Sequence, residues 1–169
     1  AGLIQKTLSP TQLPNIQGVE FSTKFVPGNE KGGDYFDIFE HEDRLRFGII
    51  VASCSGYAMS ALFLSVLIKM AGQIEARKGM DPHLVIEAMA KELIPQVQSS
   101  EAASLFYGYI DRRSFELKYC LVGDIVAVLQ SSSAESSARL LPSAEPLQRG
   151  FAGKPLSQTL PLGARDRLI

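Results

Sequence analysis

The residue types that could do chemistry in this 169-residue chain are concentrated between Lys31 and Met70. Gly32-Gly33-Asp34 places a carboxylate at a glycine turn, and Ser53-Cys54-Ser55-Gly56 places two hydroxyls and a thiol at the end of an apolar run. If the residues between them pair as a hairpin in the obvious register, Asp34 and Ser53 become neighbours at one end of a sheet, where a site could be built. Taken alone, Asp34 also fits a turn residue whose carboxylate caps nearby backbone amides, and Asp37 fits a strand edge. Ala52-Ser53-Cys54-Ser55-Gly56 has the small-x-nucleophile-x-small form of a nucleophile elbow, with Cys54 as the nucleophile. That chemistry needs parallel strands with helical crossovers, and phosphate transfer to the thiol is disfavoured too, because no arginine follows Cys54 within the turn to hold a phosphate. His41 lies among Glu40, Glu42 and Asp43, but consecutive charges at a hairpin tip are ordinarily solvated rather than metal-bound. Gly153-Lys154-Pro155 lacks both the glycine spacing and the Ser/Thr of a phosphate loop.

The elements that must position these residues follow from periodicity. Alternation predicts a strand over 19–25, and 35–39 and 45–52 follow as a hairpin around a polar tip at His41. Met59, Leu62, Phe63, Val66, Leu67, Met70 and Ile74 recur at helical spacing and predict a helix over 57–78 closed by Gly79. Asp81-Pro82 reads as an N-cap followed by proline at the first helical position. The helix it opens has Leu84, Val85, Ala88, Met89 and the region of Ile94 as its apolar face, with His83 exposed in the first turn. Strands are predicted over 104–110, 115–121 and 125–130, read as consecutive, with a reverse turn at 111–114 and a connection at Gly123-Asp124. Residues 131–137 read as a small-residue loop. Leu3, Ile4 and Leu8 make an apolar stripe before Ser9-Pro10, too short for a stable isolated helix. That stripe should pack on the domain or on a second copy as a homodimer contact.

Composition narrows the function classes. A content of 46% hydrophobic residues supports one domain with a core. A net charge of −1 leaves no electrostatic footprint for nucleic acid or an anionic membrane. The densest apolar run, 61–68, is far short of the roughly 20 residues of a membrane span. No signal-peptide pattern opens the sequence. Cys54 and Cys120 lie in or beside apolar strands and read as reduced core thiols. The expected compartment is cytoplasmic.

Ile4-Gln5 with Leu13-Pro14, then Gly32-Gly33-Asp34-Tyr35-Phe36-Asp37, then Phe47-Gly48-Ile49-Ile50-Val51-Ala52 running into Ser55-Gly56 and Met59-Ser60-Ala61, resemble the PPM family of metal-dependent serine/threonine phosphatases. The likeness is to its bacterial SpoIIE/RsbU branch. It implies an α/β (α+β) fold of two packed, mostly antiparallel β-sheets flanked by helices. It further implies two divalent ions, Mn or Mg, held by the Asp of the Gly-Gly-Asp turn and by a second Asp that opens an Asp-x-Ser-Gly-His-Gly pattern. This chain has Ser53-Cys54-Ser55-Gly56-Tyr57-Ala58 there, and Val122-Gly123-Asp124 where family members carry Ala-Gly-His. Of the expected carboxylates only Asp34 is present, as a vestigial metal ligand, so no cofactor and no catalytic residue is expected.

The resemblance also implies an organisation. Residues 1–14 would be the end of a linker helix from an upstream sensor or receiver domain, and 15–169 the phosphatase-like domain. Residues 160–169 read like the entry to the family's last strand, so the domain is expected to be truncated at its C-terminus or to lack a third ligand as well. The function expected is a degenerate SpoIIE-type output domain that acts in bacterial signal transduction by binding a protein, such as an anti-sigma-antagonist-like regulator. The alternative is an active Mn/Mg-dependent phosphoserine/phosphothreonine phosphatase whose missing ligands lie beyond residue 169.

Overall fold

The computed structural model describes residues 13, 15–24, 32–40, 44–76, 80–98 and 100–169. The expectations for the apolar stripe at Leu3, Ile4 and Leu8, for His41 with Glu42 and Asp43, and for Gly79 fall outside them. In chain order the described elements are β1 Gly32–Glu40, β2 Arg46–Ser55, α1 Tyr57–Ala76, α2 Pro82–Leu93, β3 Ala102–Asp111, β4 Glu116–Val122, β5 Ala127–Ser131, β6 Ser136–Leu140, β7 Leu147–Gln148, β8 Gln158–Pro161 and β9 Arg167–Leu168. A larger sheet runs β1-β2-β3-β4-β8, with β7 pairing the start of β3, and a smaller one runs β6-β5-β9. The ladders within both are antiparallel.

The two-residue period of a strand sorts β2 into two faces. Ile50, Ala52 and Cys54 pack with Met59, Phe63 and Val66 of α1 and Val85, Ile86 and Met89 of α2. Phe47, with Ile49 and Val51, faces the other way and packs with Ala127, Leu129, Leu140 and Leu168 of the smaller sheet. The larger sheet therefore has helices on one face and the second sheet on the other. Phe106 and Tyr119 stack at 5.6 Å within the inter-sheet layer. Gly108 lies opposite Tyr119, and a Cβ there would meet Lys118 O at 2.9 Å, so only glycine fits that close approach.

Several expectations need correction. Residues 19–24 are not in a strand: Val19 N donates to Ile16 O at 3.1 Å, and Val19 and Phe21 lie on the inter-sheet core, with Phe21 edge-on to Phe47 at 6.1 Å. Alternation reports one apolar face, which an extended segment laid on the core satisfies without a ladder. The three later strands are not consecutive in one sheet either. β3 and β4 pair around the predicted turn, but the chain then bends at Gly123 (φ +85°) and β5 enters the smaller sheet. Residues 136–137 belong to β6, and only 132–135 form the turn. On α2 the buried face is Pro82, Val85, Ile86, Met89, Ala90 and Leu93, whereas Leu84 is 40% exposed.

His83 is half-buried in a polar cluster rather than exposed. Its backbone N donates to Asp81 Oδ1 at 3.3 Å as the N-cap bond and to Ser157 Oγ at 2.9 Å, and its Nδ1 lies 2.5 Å from Asp81 Oδ1. Ser157 Oγ donates to the same carboxylate, and Lys118 Nζ on β4 pairs with it at 2.7 Å. Desolvation pushes the Asp81 carboxyl up, but the hydrogen bonds from Lys118, Ser157 and His83 outweigh it and hold the group well below the usual carboxylate range. The Asp81 hydrogen bond in turn raises the Lys118 ammonium, against a smaller opposing effect of burial.

Two predictions follow from this packing. A Cβ at Gly123 would lie 2.2 Å from Ser104 Oγ and 2.7 Å from Ser104 Cβ, in a left-handed backbone. Gly123→Ala should cost about 3 kcal/mol in urea unfolding, and Ser104→Ala should not rescue it, because the Cβ clash persists. The Asp81 cluster predicts a pH signature. A depressed carboxyl contributes stability that is complete above its unfolded value near 3.9 and is lost as pH falls toward the folded value. A raised ammonium contributes stability that is complete below about 10.4 and is lost as pH rises through the folded value. Asp81→Asn keeps the cap geometry but removes both contributions, so its melting-temperature deficit should shrink below about pH 4 and above about pH 10.5. A deficit independent of pH would show that the cluster acts only through packing.

Candidate functional site

The hairpin places the candidate residues as its register dictates. Asp34 of β1 is the Cα partner of Ser53 on β2, and Ser53 is the partner of Ser104 on β3. Directly opposed residues project to the same side of a sheet, and Ser53 alternates with Val51, so the row Asp34–Ser53–Ser104 lies on the inter-sheet face beyond the end of the packed core. Asp34 is in the strand, not in a turn. It is exposed, and its carboxylate makes no hydrogen bond to a backbone amide among the described residues, so the capping role is not observed.

The end of β2 is shaped by its Ser-Gly pair. Ser55 Oγ donates to Ala102 O at 3.2 Å and accepts from Ala102 N at 2.8 Å, closing the β2–β3 ladder with a side chain. Gly56 has φ +84°, and its carbonyl accepts from Ser60 N at 3.2 Å and Ser60 Oγ at 3.1 Å, which starts α1. Across the rim, Ser104 is 7% exposed and its Oγ accepts from Asp124 N at 2.9 Å, fixing the bend after β4.

Together these residues border a cleft of about 430 Å³ lined by Asp34, Val51, Ala52, Ser53, Ser55, Ala102, Ser104, Asp124, Ile125 and Pro146. Sequence reasoning brought Asp34 and Ser53 together but missed Asp124 and Ser104. The signal available for Asp124 was a charged residue at a connection where the resembling family carries a different one.

Cys54 does not join the site. It points to the helical face, is 6% exposed, and burial, followed by the nearby Asp34 charge, pushes its thiol up to about 12. A buried neutral thiol on antiparallel strands excludes the nucleophile elbow. Cys120 is likewise a free core thiol, raised to about 11 chiefly by burial.

The donor set decides what the cleft could hold. Two divalent ions bring about four positive charges and favour carboxylate and water oxygens. The described cleft offers Asp34 and Asp124, with the neutral hydroxyl of Ser53 at the register position opposite Asp34. Among the described residues no group of three His, Cys, Asp or Glu side chains is placed to hold a metal ion. These residues do not fit a two-ion centre.

Comparison with known proteins places this geometry. The model of the family Stage II sporulation protein E (SpoIIE) matches residues 43–169. Phosphoserine phosphatase RsbU of Bacillus subtilis (strain 168) is 23% identical over 123 residues, covering 73% of this chain and 36% of RsbU, so the chain spans about a third of that relative's length. The crystal structure of the RsbU and RsbW domains of a Mycobacterium tuberculosis protein aligns with TM-score 0.63 at 26% identity, over 81% of this chain and 38% of that one. RsbX in complex with magnesium aligns with TM-score 0.56 at 18% identity, over 80% of this chain and 63% of RsbX, which speaks to the fold alone. No helix among the described residues is long and apolar enough to cross a membrane. With a family model spanning most of its length and RsbU and SpoIIE phosphatase domains among its structural neighbours, the chain belongs to the SpoIIE family, as a PPM-type phosphatase domain of the SpoIIE/RsbU branch.

Proposed function

We propose that this SpoIIE-family domain works in bacterial signal transduction as a phosphatase fold without phosphatase chemistry, relaying its signal by binding a protein in the cytoplasm. The observation that carries this reading is Ser53 at the register position opposite Asp34. In a two-ion phosphatase the ions polarise the phosphoryl oxygens and activate the attacking water, and carboxylates must hold both. A serine hydroxyl offsets none of that charge. Loss of a partner that merely orients a ligand costs about 10- to 100-fold in metal affinity, so loss of a carboxylate that would itself bind the ion costs more.

What remains is a scaffold with a shaped rim, and function then resides in what that rim binds. An anti-sigma-antagonist-like regulator is the class of partner the RsbU relationship favours. In this reading residues 1–14 are the end of a linker helix that receives the signal from a sensor or receiver domain, and they also supply the contact for a homodimer. Residues 15–169 are the output domain.

Two measurements test this. Millimolar Mn²⁺ or Mg²⁺ should leave the melting temperature unchanged, whereas an ion present at a hundredfold excess over its Kd would stabilise by about 2.7 kcal/mol. A clear upward shift with phosphopeptide turnover would establish the active enzyme instead. Ser53→Asp should be less stable than the native chain in chelator, because two carboxylates facing each other across a ladder repel and one is driven to bind a proton. Mn²⁺ should recover that stability, while phosphopeptide turnover stays at background because a single held ion does not clamp both reacting oxygens. If calorimetry finds no Mn²⁺ binding to the variant, Asp34 does not project toward position 53.

A further inference from the structure

The cleft beside Asp34 is half of a longer feature. A second cleft of about 390 Å³, lined by Gly123, Asp124, Pro142, Ser143, Ala144, Glu145 and Pro146, adjoins it and shares Asp124 and Pro146. The two form one groove along the rim from the β1–β2 end past the bend after β4. Its walls are largely apolar, through Val51, Ile125, Pro142 and Pro146. Its charged members are Asp34, Asp124 and Glu145, all exposed, and no Lys, Arg or His lines it among the described residues. The whole chain carries 17 basic and 18 acidic residues, so this one-signed charge is local to the groove.

Resting on the reading of the domain as a metal-free protein binder, we infer that this groove takes an extended segment of the partner protein bearing lysine or arginine, and that phosphorylation of the segment opposes binding. The same groove filled with divalent ions would attract a phosphoserine. Without them, three carboxylates face the incoming ligand, and like charge disfavours a phosphate dianion at close range. A lysine or arginine supplies the missing counter-charge and lays its aliphatic stem along the apolar wall. The apolar positions between the charges accept flanking aliphatic side chains, which distinguishes this occupant from a free cation.

The test uses fluorescence anisotropy on the full 169-residue chain with a labelled decapeptide containing two lysines, two leucines and one serine. Its phosphoserine form and a form with glutamate for lysine are compared, each in chelator and in millimolar Mn²⁺. The lysine peptide should bind in chelator, more weakly as salt rises, and both other peptides should bind more weakly still. Asp34→Asn, Asp124→Asn and Glu145→Gln should each weaken binding about two- to fivefold, while Glu87→Gln on the exposed face of α2 should not. Absence of binding, equal binding of the three peptides, or equal losses in the groove variants and Glu87→Gln would each overturn the inference and leave the metal-free reading intact. Tighter binding of the phosphoserine peptide in Mn²⁺ would overturn both. The peptide and salt comparisons need only the native chain, so they decide the matter even if a variant fails to fold.

Discussion

The register of the β1–β2 hairpin is the constraint on which the rest depends. Because side chains alternate, a slip of one residue between the strands would turn one of them over, carrying Asp34 or Ser53 to the helical face and Gly33 or Cys54 to the rim. Burial on both faces prevents the slip. Ile50, Ala52 and Cys54 are committed to the helical layer and Phe47 to the inter-sheet layer, so exchanging the faces would drive each set into a surface shaped for the other. The position of the rim residues is therefore fixed by core packing several residues away, independently of the rim side chains themselves.

This independence explains how the fold tolerates serine at position 53. Opposed residues in an antiparallel pair lie about 4.5–5.5 Å apart at Cα, and two carboxylates that close repel unless a cation lies between them. Serine removes the repulsion and leaves the ladder unchanged. The acidic groove that remains is open to solvent, where its carboxylates keep their hydration and cost little while no partner is bound.

Much of the fold was legible from the chain alone: the Asp34–Ser53 pairing, the Asp81-Pro82 helix start, the turn at 111–114 and the two reduced thiols all follow from local patterns that tertiary context reinforces. The failures share a cause. Alternation at 19–25 and the apolar run at 125–130 report which side chains seek the core, not which strand lies alongside, so an unladdered segment and a strand that changes sheets look the same as sheet neighbours. His83 was misplaced because its surroundings come from Ser157 and Lys118, which are remote in sequence. Asp124 was missed for the same reason. Its place in the groove depends on Gly123 bending over Ser104, a contact between β3 and the end of β4 with no local signature.

The Ser-Gly half of the β2 terminus and its acidic half answer to different physical demands. Ser55 finishes the β2–β3 ladder by bonding both backbone groups of Ala102, and Gly56 takes a left-handed turn so that its carbonyl can start α1. Any protein with this strand-to-helix junction needs those two roles filled, whether or not it hydrolyses a phosphoester. Position 53 and the exposed positions 57 and 58 carry no comparable structural duty, since Ser53 lies on the open rim and Tyr57 and Ala58 face solvent at the start of α1. Ser55 and Gly56 therefore answer to the scaffold, whereas positions 53, 57 and 58 are free to vary with what the rim binds, so the two halves of this junction report on different properties of the domain.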